Sequence, residues 1–213
     1  TQNQAFSAIL FLFRHVWQLS LENMETTLRA RPSQRLPTVL SVSEICSVLN
    51  QVGTRDGVGI CIHLLYGCGL RLREGLSLRV KDVDLRRGIV EIRAGKGRKD
   101  RMVTLPKALE SILEHRMESL RLLCRQDRSE GYPGVAMPNA LERKWPKAGE
   151  TFAWQWLFPS RDPSRDPRSG IVRRHHLHEN TIQRRLKRAV EESGIPRRVT
   201  CHVLRHSFAT HLL

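Results

Sequence analysis

Between Ile89 and Leu105 the hydrophobic pattern of this chain changes its period. Val90 and Ile92 alternate with Ile89, Glu91 and Arg93, and Met102 to Leu105 forms a second apolar-leaning run. Alternation of this kind marks a strand with two different faces. The intervening Ala94-Gly95-Lys96-Gly97-Arg98-Lys99-Asp100 predicts a β-hairpin whose loop is longer than two residues. The rest of the chain reads as helix or irregular structure. The expected fold class is therefore mainly α with a small antiparallel β-sheet. Five basic residues fall between Arg93 and Arg101. Charge on a hairpin can serve only to prevent edge-to-edge aggregation. The glycines flanking Lys96, however, permit close backbone approach to a ligand, which that role does not need.

The helices announce themselves by caps and stripes. Ser41 with Glu44 forms a capping box and opens a helix running to about Val52. A second helix, about Thr54 to Tyr66, is rich in Ile60, Ile62, Leu64 and Leu65, with Cys61 and Cys68 as core thiols. Gly67 and Gly69 break it, and Leu70 to Leu76 reads as a short helix after a glycine turn. Pro106 starts a long helix, because its fixed φ suits the first turn. That helix packs through Leu109, Ile112, Leu113, Leu120 and Leu123. Asn180 leads into a helix with Ile182, Leu186, Ala189 and Val190 inward, ended by Gly194 and Pro196. In the last stretch Thr200 is placed to cap a helix with its hydroxyl, and Leu204, Phe208 and Leu212 give it a stripe.

At the other end, Ala5, Phe6, Ile9, Leu10, Phe13 and Trp17 form a strongly apolar helix that needs a cover. Residues 1 to about 30 read as the tail of another domain. Residues 31–40, with Pro32 and Pro37, read as an extended linker that tethers the two parts or tracks a phosphate backbone. The chain begins without methionine and stops inside a helical pattern, so it is expected to be a piece of a longer protein.

Charge narrows the partner. The formal net charge is +15, from 36 basic and 21 acidic residues. That points to a polyanion, most simply nucleic acid. A membrane surface is the rival, but the longest apolar run, Ala8 to Phe13, is far too short to span a bilayer, and no signal peptide is visible. Five cysteines with no C-x-x-C pair fit reduced cytosolic thiols.

Two regions carry candidate chemistry. His202 and Arg205 stand three apart, hence on one helical face. A guanidinium clamps non-bridging phosphate oxygens while an imidazole moves a proton. From Gln126 to Ser169 regularity fades, and Trp145, Trp154 and Trp156 sit in a polar, basic setting. They either pin a long loop or act as platforms for unpaired bases. In the tract Arg173-Arg174-His175-His176-Leu177-His178, zinc is an alternative, yet no cysteine or carboxylate stands at finger-like spacing. Arg184, Arg185, Lys187 and Arg188 line the following helix, as a solvated face or as phosphate contacts.

Gly69-Leu70-Arg71, Gly95-Lys96-Gly97 and His202-Val203-Leu204-Arg205-His206 occur in the order, and on the predicted elements, of the tyrosine recombinases, the phage-integrase and Xer-like family. The resemblance covers about Val39 to Leu213. A further block resembles the insertion of the integron integrases: Ala140 to Pro146, Trp154-Gln-Trp156, Asp166-Pro-Arg-Ser-Gly170 and Arg173 to His176. It implies a catalytic domain over residues 41–213, with the insertion at about 135–178, preceded by the last helix of a core-binding domain.

The resemblance implies cofactor-free, metal-free DNA strand exchange through a 3′-phosphotyrosyl link, by a homo-tetramer on duplex and on folded single-stranded hairpin sites. The setting it implies is the bacterial cytoplasm, at the nucleoid. Carried over by position, Arg71 and Arg205 stabilise the transition state, Lys96 protonates the leaving 5′-oxygen, His202 assists proton transfer and Glu74 orients the cations. Arg98, Lys99, Arg101, Arg173, Arg174, Arg184 and Arg188 are expected on DNA. Trp154 and Pro167 are expected against one bulged base, and His175 and His176 against another. The sequence departs from the pattern in two places. Arg73 stands where relatives carry a small residue. The tyrosines Tyr66 and Tyr132 occupy a core helix and an irregular loop, so the nucleophile is not in this chain. A DNA-binding module without chemistry and a Xer or phage-type integrase are the competing readings.

Overall fold

The computed structural model describes residues 2–19, 38–93, 100–138 and 141–213. The chain divides into two compact units, residues 1–36 and 37–213. In the first, α1 (Gln2–Phe11) continues as a wide π-type turn over Leu12–Val16. Phe13 and Trp17 pack edge to face at 4.8 Å, and Phe11, Val16 and Trp17 are exposed.

The second unit is built around α3 (Gly57–Gly67), which touches α2 (Val42–Val52), α4 (Leu72–Leu76), α5 (Glu110–Ser129), α7 (Glu179–Glu192) and α8 (Cys201–His211). A helix apolar on nearly all sides must be surrounded in this way, and Ile60, Cys61, Ile62, Leu64 and Leu65 are all buried. Its start is fixed by Asp56, whose carboxylate accepts from the Gly59 N–H at 2.8 Å. The Ser41–Glu44 capping box opens α2 as expected.

The hairpin is present, with an additional strand. β1 (Val83–Asp84), β2 (Ile89–Ile92) and β3 (Arg101–Thr104) form an antiparallel sheet in that order. Val90 faces Val103 and Ile92 faces Arg101. Cross-strand partners share a face, so Arg101 lies on the same side as the buried Val90 and Ile92. Met102, paired with Glu91, is exposed on the other side. The hairpin tip, with Lys96, Arg98 and Lys99, lies outside the described residues, as does the linker up to residue 37.

Two expectations for the last helix are corrected. Thr200 occupies the position before α8, but its hydroxyl makes no capping hydrogen bond. The buried face of α8 is Cys201, Val203, Leu204 and Ser207, while Leu212 is exposed. Polar contacts add to that packing. Ser207 Oγ accepts from the Leu40 N–H at 2.9 Å, and the His211 ring bridges the Leu40 carbonyl and the Tyr66 hydroxyl, each at 2.9 Å.

The region between α5 and α7 holds α6 (Leu141–Lys144) and a two-stranded ribbon, β4 (Ser164–Arg165) with β5 (Val172–Arg173). Arg79 roots this region. Its guanidinium donates to the carbonyls of Trp154 (2.7 Å) and Ala136 (2.8 Å) and stacks 3.9 Å from the Trp156 ring centre. Burial pushes the Arg79 pKa down to about 10.

Candidate functional site

The turn at Gly69 and the first residues of α4 create the site. Gly69 has φ +57°, and a Cβ there would meet the Phe208 ring at 2.3 Å. Only glycine satisfies both the left-handed backbone and the close approach of α8. Arg71 then occupies the N-cap of α4 and Glu74 its N3 position. The Arg71 N–H donates to the Glu74 carboxylate at 2.8 Å, which is the return half of a capping box.

Three guanidinium groups converge on that carboxylate. Arg71 Nη1 donates to Oε1 at 2.8 Å. Arg101 donates through both arms of its fork, at 2.9 Å and 2.6 Å. Arg205 Nη1 lies 3.8 Å from Oε2 and donates to the Gly69 carbonyl. Glu74 is 9% exposed, while the Arg71, Arg101 and Arg205 side chains keep 36%, 31% and 30% of their surface in solvent. One carboxylate cannot neutralise three cations, so a half-open pocket of excess positive charge remains. Excess positive charge on planar guanidinium forks suits an anion with oxygen acceptors.

The electrostatics agree. Burial alone would raise the Glu74 carboxyl, but hydrogen bonds from Arg101, then from the Arg71 backbone and side chain, outweigh it and bring the pKa to about 2. The carboxylate is therefore charged throughout the physiological range. Arg205 is pulled below the usual arginine value by burial first and by Arg71 next, with Glu74 opposing.

His202 is exposed in the first turn of α8, with its ring 5.0 Å from that of His206. It also lines a groove of about 1200 Å³ together with Arg184, Lys187, Arg197 and Arg198. The groove therefore opens between α7 and the start of α8, with a basic wall. Arg188 is exposed and paired with Glu192 at 2.7 Å. Arg73 reaches away from Arg71, to Glu179 at 2.6 Å, so its bulk does not enter the cluster.

The residues between 154 and 176 expected to meet bulged bases and DNA are placed unevenly. Trp154 is half-buried, with Lys81 Nζ 3.6 Å from its ring centre. Pro167 is exposed in the turn of the β4–β5 ribbon. His175 and His176 are half-buried, and the His176 ring meets Trp156 edge-on at 5.1 Å. Arg173 is 3% exposed and paired with Glu142 at 3.0 Å, and Arg174 is 9% exposed and bound through its fork to Asp127. Arg173 is thus engaged by α6 and Arg174 by α5, because arginines this buried need carboxylate partners. Arg101, expected on DNA, is engaged by Glu74. Neither the Arg101–Glu74 fork nor the Arg79 contacts with Trp154 and Ala136 are announced by the sequence. Among the described residues no group of three or more His, Cys, Asp or Glu side chains is arranged to hold a metal ion, and no described helix is long and apolar enough to cross a membrane.

Residues 38–213 match the Phage integrase family. This chain belongs to that family. An integrase/recombinase of Escherichia coli is 46% identical over 214 residues, covering all of this chain and 63% of that relative. The tyrosine recombinase XerA of Thermococcus kodakarensis is 34% identical over 179 residues, covering 84% of this chain and 49% of its own length. This phage-integrase chain thus spans less than two thirds of these relatives. Among solved structures, XerA recombinase aligns over 100% of this chain and 62% of its own, with a TM-score of 0.57 and 26% identity. The XerH site-specific recombinase bound to difH, in a pre-cleavage complex, aligns over 99% and 53%, with a TM-score of 0.61 and 24% identity. The mostly helical unit with its small antiparallel sheets is the fold of tyrosine-recombinase catalytic domains.

Proposed function

We propose that this chain is the catalytic part of a site-specific DNA recombinase of the integron-integrase type. The observation that carries the reading is the meeting of Arg71 and Glu74 with Arg205, which lies far away in sequence, in a half-open cationic pocket. Family membership and the +15 charge support DNA as the substrate, and the XerH relative is bound to its difH site.

The chemistry is a transesterification. A tyrosine oxygen attacks phosphorus, a new P–O bond forms, and the bond to the 5′-oxygen breaks. One phosphodiester replaces another, and a 5′-hydroxyl from a partner strand reverses the step. Arg71 and Arg205 donate to the non-bridging oxygens as charge develops. Lys96 delivers a proton to the leaving 5′-oxygen, and His202 assists proton transfer near the attacking hydroxyl, help worth typically ~10²–10⁴-fold in rate. Glu74 holds the two arginines in register. The Tyr66 hydroxyl is bonded to His211 in a helix central to the core, and Tyr132 lies in a loop after α5, which supports an attacking hydroxyl supplied from outside residues 1–213. Residues 1–213 alone are therefore expected not to cleave DNA. The active assembly is a homo-tetramer on DNA.

The likeness to Xer proteins keeps a Xer or phage-type integrase as the second reading. The insertion favours the integron type, in which bases bulged from a folded single strand are read by shape. Two experiments test the proposal. The complete protein, mixed with a nicked suicide substrate, should form a covalent protein–DNA adduct stable to denaturation; its absence would leave a binding module. In gel shifts, Trp154→Ala should weaken binding to a bulged hairpin far more than to perfect duplex, and equal losses would remove the integron assignment.

A further inference from the structure

Glu74 is oversubscribed, and the way its bonds are shared out assigns a role to Arg101. A carboxylate offers about four lone-pair sites. Two are taken by Arg71, from its backbone N–H and its guanidinium, and two by the fork of Arg101. Arg205, at 3.8 Å, has been displaced onto the Gly69 carbonyl. Counting guanidinium groups alone, Arg101 makes two bonds to Glu74, Arg71 makes one and Arg205 stands at 3.8 Å.

Its place in the sheet matters as much. Arg101 is the first residue of β3 and pairs with Ile92, the last residue of β2. It is the closing rung from which the Lys96 loop departs. Because Arg101 shares the inward face with Val90 and Ile92, its side chain reaches under the sheet to α4 rather than out to solvent. Here one side chain ties the base of the hairpin to the carboxylate that orients Arg71. A lysine could supply the charge but not the two parallel bonds.

We propose that Arg101 is a positioning residue that locks Glu74 in its charged, two-armed orientation, and so sets the base of the hairpin and the Arg71–Arg205 pair in register with each other. This rests on the recombinase reading above. When a phosphate enters, Arg71 and Arg205 can turn to its oxygens while Arg101 keeps Glu74 compensated. Without Arg101, Glu74 would draw both arginines onto itself, and the hairpin would lose its tie to α4.

The test uses the complete protein on a nicked suicide substrate at saturating DNA, together with Arg101→Ala, Arg101→Lys and the charge-swapped pair Arg101→Glu with Glu74→Arg. Arg101→Ala is expected to slow adduct formation on the order of 10²-fold, the scale of a misplaced catalytic group, with DNA affinity changed less than about threefold and the salt slope unaltered. Arg101→Lys should recover only part of the rate. The charge-swapped pair should recover stability without recovering rate, since Arg71 loses its acceptor. A second readout does not depend on cleavage. In a 13C-labelled protein the Glu74 carboxyl resonance should titrate at higher pH in Arg101→Ala than in the parent. A loss of affinity with a shallower salt slope and an unchanged saturated rate would make Arg101 a phosphate contact and overturn the assignment. So would an unshifted Glu74 titration. If the parent forms no adduct but the titration shifts, the recombinase reading fails while the Glu74 lock stands.

Discussion

Arg71 and Arg205 share one carboxylate: Arg71 Nη1 lies 2.8 Å from Glu74 and Arg205 Nη1 lies 3.8 Å from it. Two cations brought this close repel one another, and the Arg205 pKa is lowered by burial and by Arg71 in turn. The pair persists because Glu74 sits between them, anchored by the N-cap geometry of α4. A phosphate entering the pocket would relieve the same repulsion, which is why the arrangement favours an anion.

The pH dependence of folding tests the carboxylate. The folded-state pKa of Glu74 is depressed from 4.5 to about 2. A depressed carboxylate contributes stability that is full above its unfolded pKa and is lost as pH falls through its folded pKa. The Glu74 contribution is therefore present above about 4.5 and disappears between there and about 2. Glu74→Gln should be less stable than the parent in urea melts at pH 6, and the gap should narrow below pH 4.5. A gap independent of pH would mean that lost packing, not lost charge, explains the variant.

Gly69→Ala tests the turn. The added methyl meets both a positive φ and the Phe208 ring. The expected cost is more than about 1 kcal/mol, above the effect of an unstrained Gly-to-Ala change. Trimming the ring, as Gly69→Ala with Phe208→Leu, should return part of the loss in thermal unfolding. No recovery would show that the backbone angle alone sets the cost.

Much of this was legible in the sequence, for local reasons. The Ser41–Glu44 capping box, the glycine turn before Arg71, the hairpin and the inward face of α7 all follow from period or from contacts a few residues apart. What escaped was long-range. Arg101 and Glu74 are separated by 27 positions, Arg79 and Trp154 by 75, Arg174 and Asp127 by 47. A guanidinium's partner is chosen by the fold, and no period announces it. The pairing of Arg173 and Arg174 was hidden for the same reason: a basic tract has the same composition whether its charges face solvent or acidic side chains. Ser207 and His211 were likewise silent, because their partner is the backbone of Leu40.

Arg174 gives a direct check on that last point. Its fork on Asp127 is largely out of solvent. Arg174→Ala should destabilise the protein by about 3 kcal/mol, because it strands a buried carboxylate. The salt slope of DNA binding should not change. An unaltered melting curve with a shallower slope would instead place Arg174 on DNA.

The shared phosphate is tested most directly by a double-mutant cycle on the complete protein, reading the rate of covalent adduct formation with a nicked suicide substrate. Arg71→Ala and Arg205→Ala are each expected to slow the step by about 10²–10³-fold, as when one preorganised donor is removed from an oxyanion site. The double variant should be far less impaired than the product of the two, since groups that act as a unit are not additive. Full multiplicativity of the two losses, or single variants that form adduct at the parent rate, would contradict the claim that these two arginines grip one phosphate.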